Sequence, residues 1–226
     1  MARSSDFVPA LGWRSLTPLY DGTVRLLTRE RRWRGAFLAQ ISTGAGETIL
    51  DVGCGTGSLA ILMKRAAPQA RVVGLDPDPE ILARAQAKAE AAGVEIEWRR
   101  GFARDAASLD LQVDKAVSSL VFHQVPTAEK RAGIAAMIDA VRPGGEVHIA
   151  DFARQRRWLM RTLFSVVGLV DGRANTRPNA LGALEDILGG TDPLAGEANG
   201  RFATPLGEIS LFSLHKGSDD AALAVT

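Results

Sequence analysis

A single cysteine, Cys54, stands in a chain of 226 residues. It cannot form an intrachain disulfide, and it cannot build a structural zinc site, which takes four ligands, so a reducing, cytoplasmic setting is the expectation. Charge of one sign is also missing. Lysine and arginine number 27 against 26 aspartates and glutamates, for a formal net charge of +1. No overall field would hold a polyphosphate backbone, and general nucleic-acid binding is not expected. Long apolar runs are absent: no window approaches roughly 18 uncharged apolar residues, and the opening MARSSDFVPALGWRSL lacks the stretch a secretory signal carries. Neither a membrane span nor secretion is expected. What is present is ordinary globular composition, 46% hydrophobic and 23% charged, at a length that suits one domain around one core.

Hydrophobic periodicity divides the chain into alternating elements. Trp33, Phe37 and Ile41 recur at every fourth position and predict a helix near 22–41. The segment ETILDVGCGTGSLAILMKRAAP follows with a short apolar run from Ile49 to Val52, then glycines, then an apolar-periodic stretch stopped at Pro68. That is strand, tight loop, helix. RVVGLD at 71–76 reads as a second strand, and in the helix after it Asp78 is placed to cap, Pro79 to open and Gly93 to close. VEIEW at 94–98, KAVSSLV at 115–121 and EVHIADF at 146–152 read as further strands, with a helix from about Thr127 to Val141 between the last two. Alternating strands and helices imply a parallel sheet covered on both faces. Beyond 152, RRWLMRTLFSVVGLVDG reads as an apolar helix, RPNALGALEDILGG as a second, and FATPLGEISLFSLHK as a pair of strands. The final GSDDAALAVT is expected to fray.

The glycines of DVGCGTGS fall at Gly53, Gly55 and Gly57, directly between a strand and a helix. Such a loop lets backbone approach a ligand where a β-carbon would collide. Asp76 ends the next strand, where an acid can chelate a ribose diol. A dinucleotide fingerprint would place its third glycine at position 58, which is Ser58, so the spacing opposes a nicotinamide site and an oxidoreductase is the weaker alternative.

These residues carry a family resemblance. ILDVGCGTG at 49–57 and VVGLDPDPEIL at 72–82 resemble the first two motifs of class I S-adenosylmethionine-dependent methyltransferases. GFARDA at 101–106, DKAVSSLVFHQVP at 114–126 and VRPGGEVHIADF at 141–152 follow in that family's order. The pattern is most similar to the ubiquinone/menaquinone-biosynthesis group, and TPLYDGTVRLLTRER before the core and RPNALGALEDILGG with TPLGEISLFSLHK after it resemble the same group's flanks. The resemblance implies an α/β, single-domain, Rossmann-like doubly wound sheet, mostly parallel with a late antiparallel strand. It divides the chain into an N-terminal helical substrate cap (1–44), a cofactor core (45–152), substrate-side elements (153–216) and a disordered tail (217–226).

The resemblance also assigns residues. Asp51, Gly53 and Gly55 would line the methionine end of S-adenosylmethionine, with Asp51 assisting its ammonium group, and Asp76 would take both ribose hydroxyls. The chemistry agrees, since a carboxylate offers two acceptor oxygens to two adjacent donors. Cys54, Pro77, Phe102, Ala103 and Ser118 would complete the cofactor crevice. Cys54 reads as a small loop residue rather than a nucleophile, because no basic partner is adjacent to activate it. One departure stands out: where the family often has an acid for the adenine amino group, this chain has Phe102, which cannot accept that bond. It would supply a backbone N–H and an apolar wall for adenine, or Asp105 would reach in after a loop shift. Core packing is an equal alternative for Phe102.

For the reaction, alignment of nucleophile, carbon and sulfur supplies much of the acceleration and a base is optional. His123 is the candidate base and Gln124 its neighbour in the acceptor loop; a histidine bonded to backbone beneath the cofactor is the competing reading. Tyr20, the single tyrosine, and Phe152 are further substrate-side candidates. No metal site is expected, because Asp151 supplies only one carboxylate where a metal-dependent site would cluster several. The segment WLMRTLFSVVGLV at 158–170 is too short to span a bilayer; it is a buried helix, a pocket wall or a membrane-surface element beside Arg154, Arg156, Arg157 and Arg161. The sequence therefore predicts methyl transfer to a small, partly apolar acceptor, with ring carbon ahead of nitrogen or oxygen. A catalytically silent cofactor-binding regulator or scaffold is the alternative. Oligomeric state is left open.

Overall fold

Residues 30–170 and 172–218 are described by the computed structural model. The predicted helix near 22–41 is seen from Glu30 to Ile41 (α1), and Trp33, Phe37 and Ile41 are fully buried along one side, as their spacing requires. Tyr20 and nearly all of the 217–226 tail lie outside the described residues.

Five parallel strands follow: β1 (Thr48–Val52), β2 (Arg71–Asp76), β3 (Glu97–Arg100), β4 (Val113–Ser119) and β5 (Val141–Phe152). Between them run α2 (Ser58–Ala66), α3 (Pro79–Ala91) and α4 (Thr127–Ala140). The start of α3 is set locally, since the Asp78 carboxylate accepts the Glu80 and Ile81 N–H groups at 2.9 and 3.4 Å, with Pro79 in the first turn. The sheet continues through β7 (Gly207–His215), antiparallel to β5, to the edge strand β6 (Gly200–Thr204), giving the order β3-β2-β1-β4-β5-β7-β6. This is the mostly parallel, doubly wound sheet with a late antiparallel strand, here β7, that the sequence predicts.

Alternation along each strand feeds two cores. Leu50, Val52, Val73, Leu75, Val147 and Ile149 pack with Ile134 and Met137 of α4 on one face. Ile49, Val72, Val117 and Ala150 pack with α1 and α2 on the other. Strand order reverses at β1 and β4, and the crevice beyond their carboxyl ends is where doubly wound sheets bind ligands.

Several boundaries differ from the sequence reading: β4 runs over Val113–Ser119 rather than 115–121, and β5 begins at Val141 rather than at 146. VEIEW gives a strand only from Glu97, because pairing with β2 aligns Val73 with Glu97 and Asp76 with Arg100. The helix expected over 177–190 is broken: after α5 (Trp158–Val170), α6 (Arg173–Leu181) and α7 (Ala183–Gly189) meet at Gly182, whose φ of 109° no helix continues through and where a β-carbon would strike the Arg154 guanidinium.

Candidate active site

The glycine loop is tied to β2 from the first residue. Gly53 and Cys54 both donate their N–H to the Leu75 carbonyl, at 2.8 and 3.0 Å, and the Gly55 N–H donates to Asp76 Oδ2 at 3.0 Å. The three glycines answer to different neighbours. A β-carbon on Gly53 would overlap the Val121 side chain from the loop after β4, and one on Gly57 would sit 2.6 Å from the Trp98 ring. Only Gly55, at φ +52°, faces open space, so it is the position where bare backbone is presented to a ligand. Cys54 is buried, its thiol directed at the Gly55 carbonyl, and burial pushes its pKa well above the ordinary thiol range.

Asp51, the fourth residue of β1, is buried, and neither carboxylate oxygen has a hydrogen-bond partner. Loss of hydration raises its pKa to about 7; Arg34 of α1 pulls it down, the Asp76 charge pushes it up, and the Ala60 amide, outside regular hydrogen-bond geometry, lowers it slightly. A bare carboxylate in that state calls for a cation. Asp76, at the carboxyl end of β2, accepts one amide on each oxygen, Asp78 N–H on Oδ1 at 3.0 Å and Gly55 N–H on Oδ2. Each oxygen keeps a second lone pair, the pattern that meets two adjacent hydroxyls. Burial also raises the Asp76 pKa, against the two amides that lower it.

After β3, Phe102 and Ala103 are half-buried at the start of a 3-10 turn, Ala103–Leu109. Asp105 folds back rather than outward: its Oδ2 accepts the Phe102 N–H at 2.8 Å. The Phe102 ring carries the Arg104 guanidinium 4.4 Å from its centroid. Pro77 is half-buried and its carbonyl accepts the Arg100 side chain at 3.2 Å.

Ser118, next to last in β4, is fully buried, its hydroxyl donating to the Val52 carbonyl at 2.9 Å. Leu120 then adopts φ +58°, a conformation costly for a branched side chain, and the chain turns through Phe122–Gln124. Asp151, next to last in β5, organises that turn. Its Oδ2 accepts the N–H groups of Val121, Phe122 and His123 at 3.1, 2.6 and 3.2 Å, and its Oδ1 accepts the Phe152 N–H at 2.7 Å. The same Oδ1 lies 2.7 Å from Nδ1 of His123, with both side chains buried. Phe152 meets the His123 ring edge-on at 5.3 Å and leans on Phe164 at 4.9 Å. Gln124 is half-buried, its carbonyl accepting the Asn175 side-chain amide at 2.9 Å. Lys130 of α4 is buried beneath the turn, donating to the Val125 and Asn175 carbonyls at 2.8 and 2.9 Å; burial lowers its pKa to about 8, against the Asp151 charge.

The structure thus places Asp51, Gly53, Cys54, Gly55, Asp76 and Pro77 at the carboxyl ends of β1 and β2, Phe102 and Ala103 just after β3, and Ser118, His123, Gln124 and Phe152 at the carboxyl ends of β4 and β5. Sequence reasoning missed the part played by Asp151, noted there only as a lone carboxylate. The available signal was an acid at the carboxyl end of the strand beside β4.

Residues 49–145 match a family described as a methyltransferase domain. They are a methyltransferase domain of the S-adenosylmethionine-dependent class. Similar curated proteins belong to the ubiquinone and menaquinone group. The demethylmenaquinone methyltransferase of Deinococcus radiodurans is 32% identical over 152 residues, covering 66% of this chain and 62% of that protein. That of Thermus thermophilus is 34% identical over 139 residues, covering 61% and 62%. This chain therefore spans less than two thirds of the length of either relative. An O-methyltransferase family protein from Burkholderia thailandensis shares the fold, with a TM-score of 0.68 at 18% identity over 91% of this chain and 60% of that one. S-adenosylmethionine is the cofactor of the domain class, and the methyltransferase crevice fits it. The unpartnered Asp51 carboxylate suits an ammonium group, Asp76 a diol, and Gly55 leaves room for close approach.

Proposed function

We propose that this chain moves a methyl group from S-adenosylmethionine to a small, partly apolar organic acceptor, with a ring carbon of a quinone-like compound as the favoured target. The observation that carries the reading is Asp51, a buried carboxylate with no hydrogen-bond partner beside backbone left open at Gly55. Asp51 would hold the ammonium group and Asp76 the paired ribose hydroxyls, while Phe102, its N–H committed to Asp105, would offer adenine an apolar wall.

When bound, the cofactor supplies a methyl carbon on a positively charged sulfur, with a leaving group that needs no protonation. The chain's own contribution is alignment and proton handling. A carboxylate only accepts, so Nδ1 of His123 donates to Asp151 and Nε2 becomes the basic nitrogen. His123 is then the group that would take the proton an acceptor must lose, and Asp151 is a positioning residue that sets the ring's tautomer and orientation. The Phe152 and Phe164 rings beside it favour an acceptor that itself carries a ring. The two demethylmenaquinone methyltransferases support the quinone-like class.

Incubation with deuteromethyl-labelled cofactor, demethylmenaquinone and a panel of phenol and amine acceptors, followed by mass spectrometry, tests the reading. Label on a ring carbon is the expected result. Label only on oxygen or nitrogen would overturn the choice of atom, and binding of S-adenosylhomocysteine with no transfer to any acceptor would favour a silent cofactor-binding regulator.

A further inference from the structure

Helix α5 is apolar on both sides. Met160, Phe164 and Val167 are buried against the sheet, as one face of a surface helix should be. On the opposite side, where charged and polar residues are the rule, Trp158 is 77% exposed, Leu169 69%, Val166 50% and Leu159 47%. At 100° per residue these four fall within one arc of about 100°, with only Thr162 among them. The arc consists of Trp158, Leu159, Thr162, Val166 and Leu169 and so bears no charge, Arg161 falling outside it.

Charge gathers at the ends of this helix instead. Arg156 and Arg157 lie immediately before it and Arg173 and Arg177 on the next helix, all exposed and none forming an ion pair among the described residues. Arg154, by contrast, is engaged by Asp186 at 3.4 Å, and Arg161 donates to the Gln155 carbonyl at 2.8 Å. In a chain of net charge +1, a flank of unpaired guanidinium groups around an uncharged apolar arc is a local arrangement rather than a reflection of composition.

We infer that this face docks on an anionic lipid bilayer, with α5 lying in the plane of the interface. Trp158 and the three aliphatic side chains would enter the headgroup and acyl boundary, and the flanking arginines would meet lipid phosphates. At 13 residues α5 is too short to cross a bilayer, and among the described residues no helix is long and apolar enough to do so. The sign of the flank selects the occupant: an apolar protein partner needs no cations at its rim, whereas an anionic membrane surface does. The inference does not rest on the methyl-transfer reading, although a quinone-like acceptor would itself reside in a bilayer.

Cosedimentation with sonicated vesicles tests it. The full chain should pellet with vesicles of equal phosphatidylglycerol and phosphatidylcholine, and at least tenfold more lipid should be needed with phosphatidylcholine alone or in about 0.5 M salt. The double variants Trp158→Glu/Leu169→Glu and Arg156→Glu/Arg157→Glu should each weaken binding at least tenfold while keeping S-adenosylhomocysteine affinity and the circular dichroism of the parent. No binding to anionic vesicles, binding indifferent to both double variants, or a dimer in analytical ultracentrifugation that Trp158→Glu/Leu169→Glu dissolves would each overturn the inference. If the first double variant fails to fold, the arginine pair and the salt series decide it.

Discussion

Nδ1 of His123 lies 2.7 Å from one oxygen of Asp151, whose other oxygen accepts three consecutive backbone N–H groups from Val121, Phe122 and His123. One carboxylate at the end of β5 therefore shapes the turn after β4 and orients the imidazole that the turn carries. The strained Leu120 backbone immediately upstream is held by its N–H bond to the Ala150 carbonyl at 2.9 Å, one residue before Asp151.

Removing that carboxylate strands several buried donors. Each unsatisfied buried group costs about 1–3 kcal/mol, so Asp151→Ala should lower unfolding stability by about 3–5 kcal/mol, and Asp151→Asn, which keeps one acceptor oxygen, by less. Urea denaturation of the two variants checks the order, and equal stability of Asp151→Ala and the parent would contradict it.

His123→Ala should cut turnover by roughly 10²–10⁴-fold, the range of a lost general base, with S-adenosylhomocysteine affinity nearly unchanged because the ring is tied to Asp151 and Phe152 rather than to Asp51 or Asp76. Steady-state kinetics beside calorimetry separates the two quantities. An unaffected rate would assign His123 to structure alone.

Asp51 gives a pH dependence of defined sign. Its pKa is raised to about 7 by burial, against about 3.9 for a free aspartate. The stability gained from keeping it neutral is full below about pH 4 and is lost as pH rises through about 7. Cofactor binding runs the other way, since an ammonium group prefers the ionised carboxylate. Affinity for S-adenosylhomocysteine should rise between about pH 6 and 8 and then level off. Calorimetry across that interval should show the rise in the parent and weak, flat binding in Asp51→Asn.

The glycines should separate by phenotype. Gly57→Ala places a β-carbon 2.6 Å from Trp98 at φ +73° and should cost about 2–4 kcal/mol of stability. Gly55→Ala enters open space, so its folding cost should be only the left-handed backbone's, about 1–2 kcal/mol, while cofactor affinity falls. Denaturation and binding measured on both variants would contradict this division if Gly57→Ala were the more stable of the two.

Much of this was legible in local chemistry. The β1–glycine–α2 unit, the Asp78–Pro79 start of α3 and the Trp33–Phe37–Ile41 stripe depend on near neighbours and emerge from spacing alone. What could not be read depends on partners distant in the chain. The start of β3 follows its register against β2, and the break at Gly182 makes room for Arg154, 28 positions earlier. Gly57 and Gly74 are small because the Trp98 ring lies over them, which spacing within the glycine loop does not announce. His123 was visible as a candidate base, but its tie to Asp151 exists only because β4 and β5 are adjacent and in register, with Ser119 opposite Ala150.

The account rests on Asp76 receiving a ribose while Asp51 receives an ammonium group, and titration calorimetry of Asp76→Ala with S-adenosylhomocysteine measures it most directly. Two charge-assisted hydrogen bonds are lost, so binding should weaken by about 2–3 kcal/mol relative to the parent with folding intact. Affinity equal to the parent's would contradict the placement of the cofactor in this crevice.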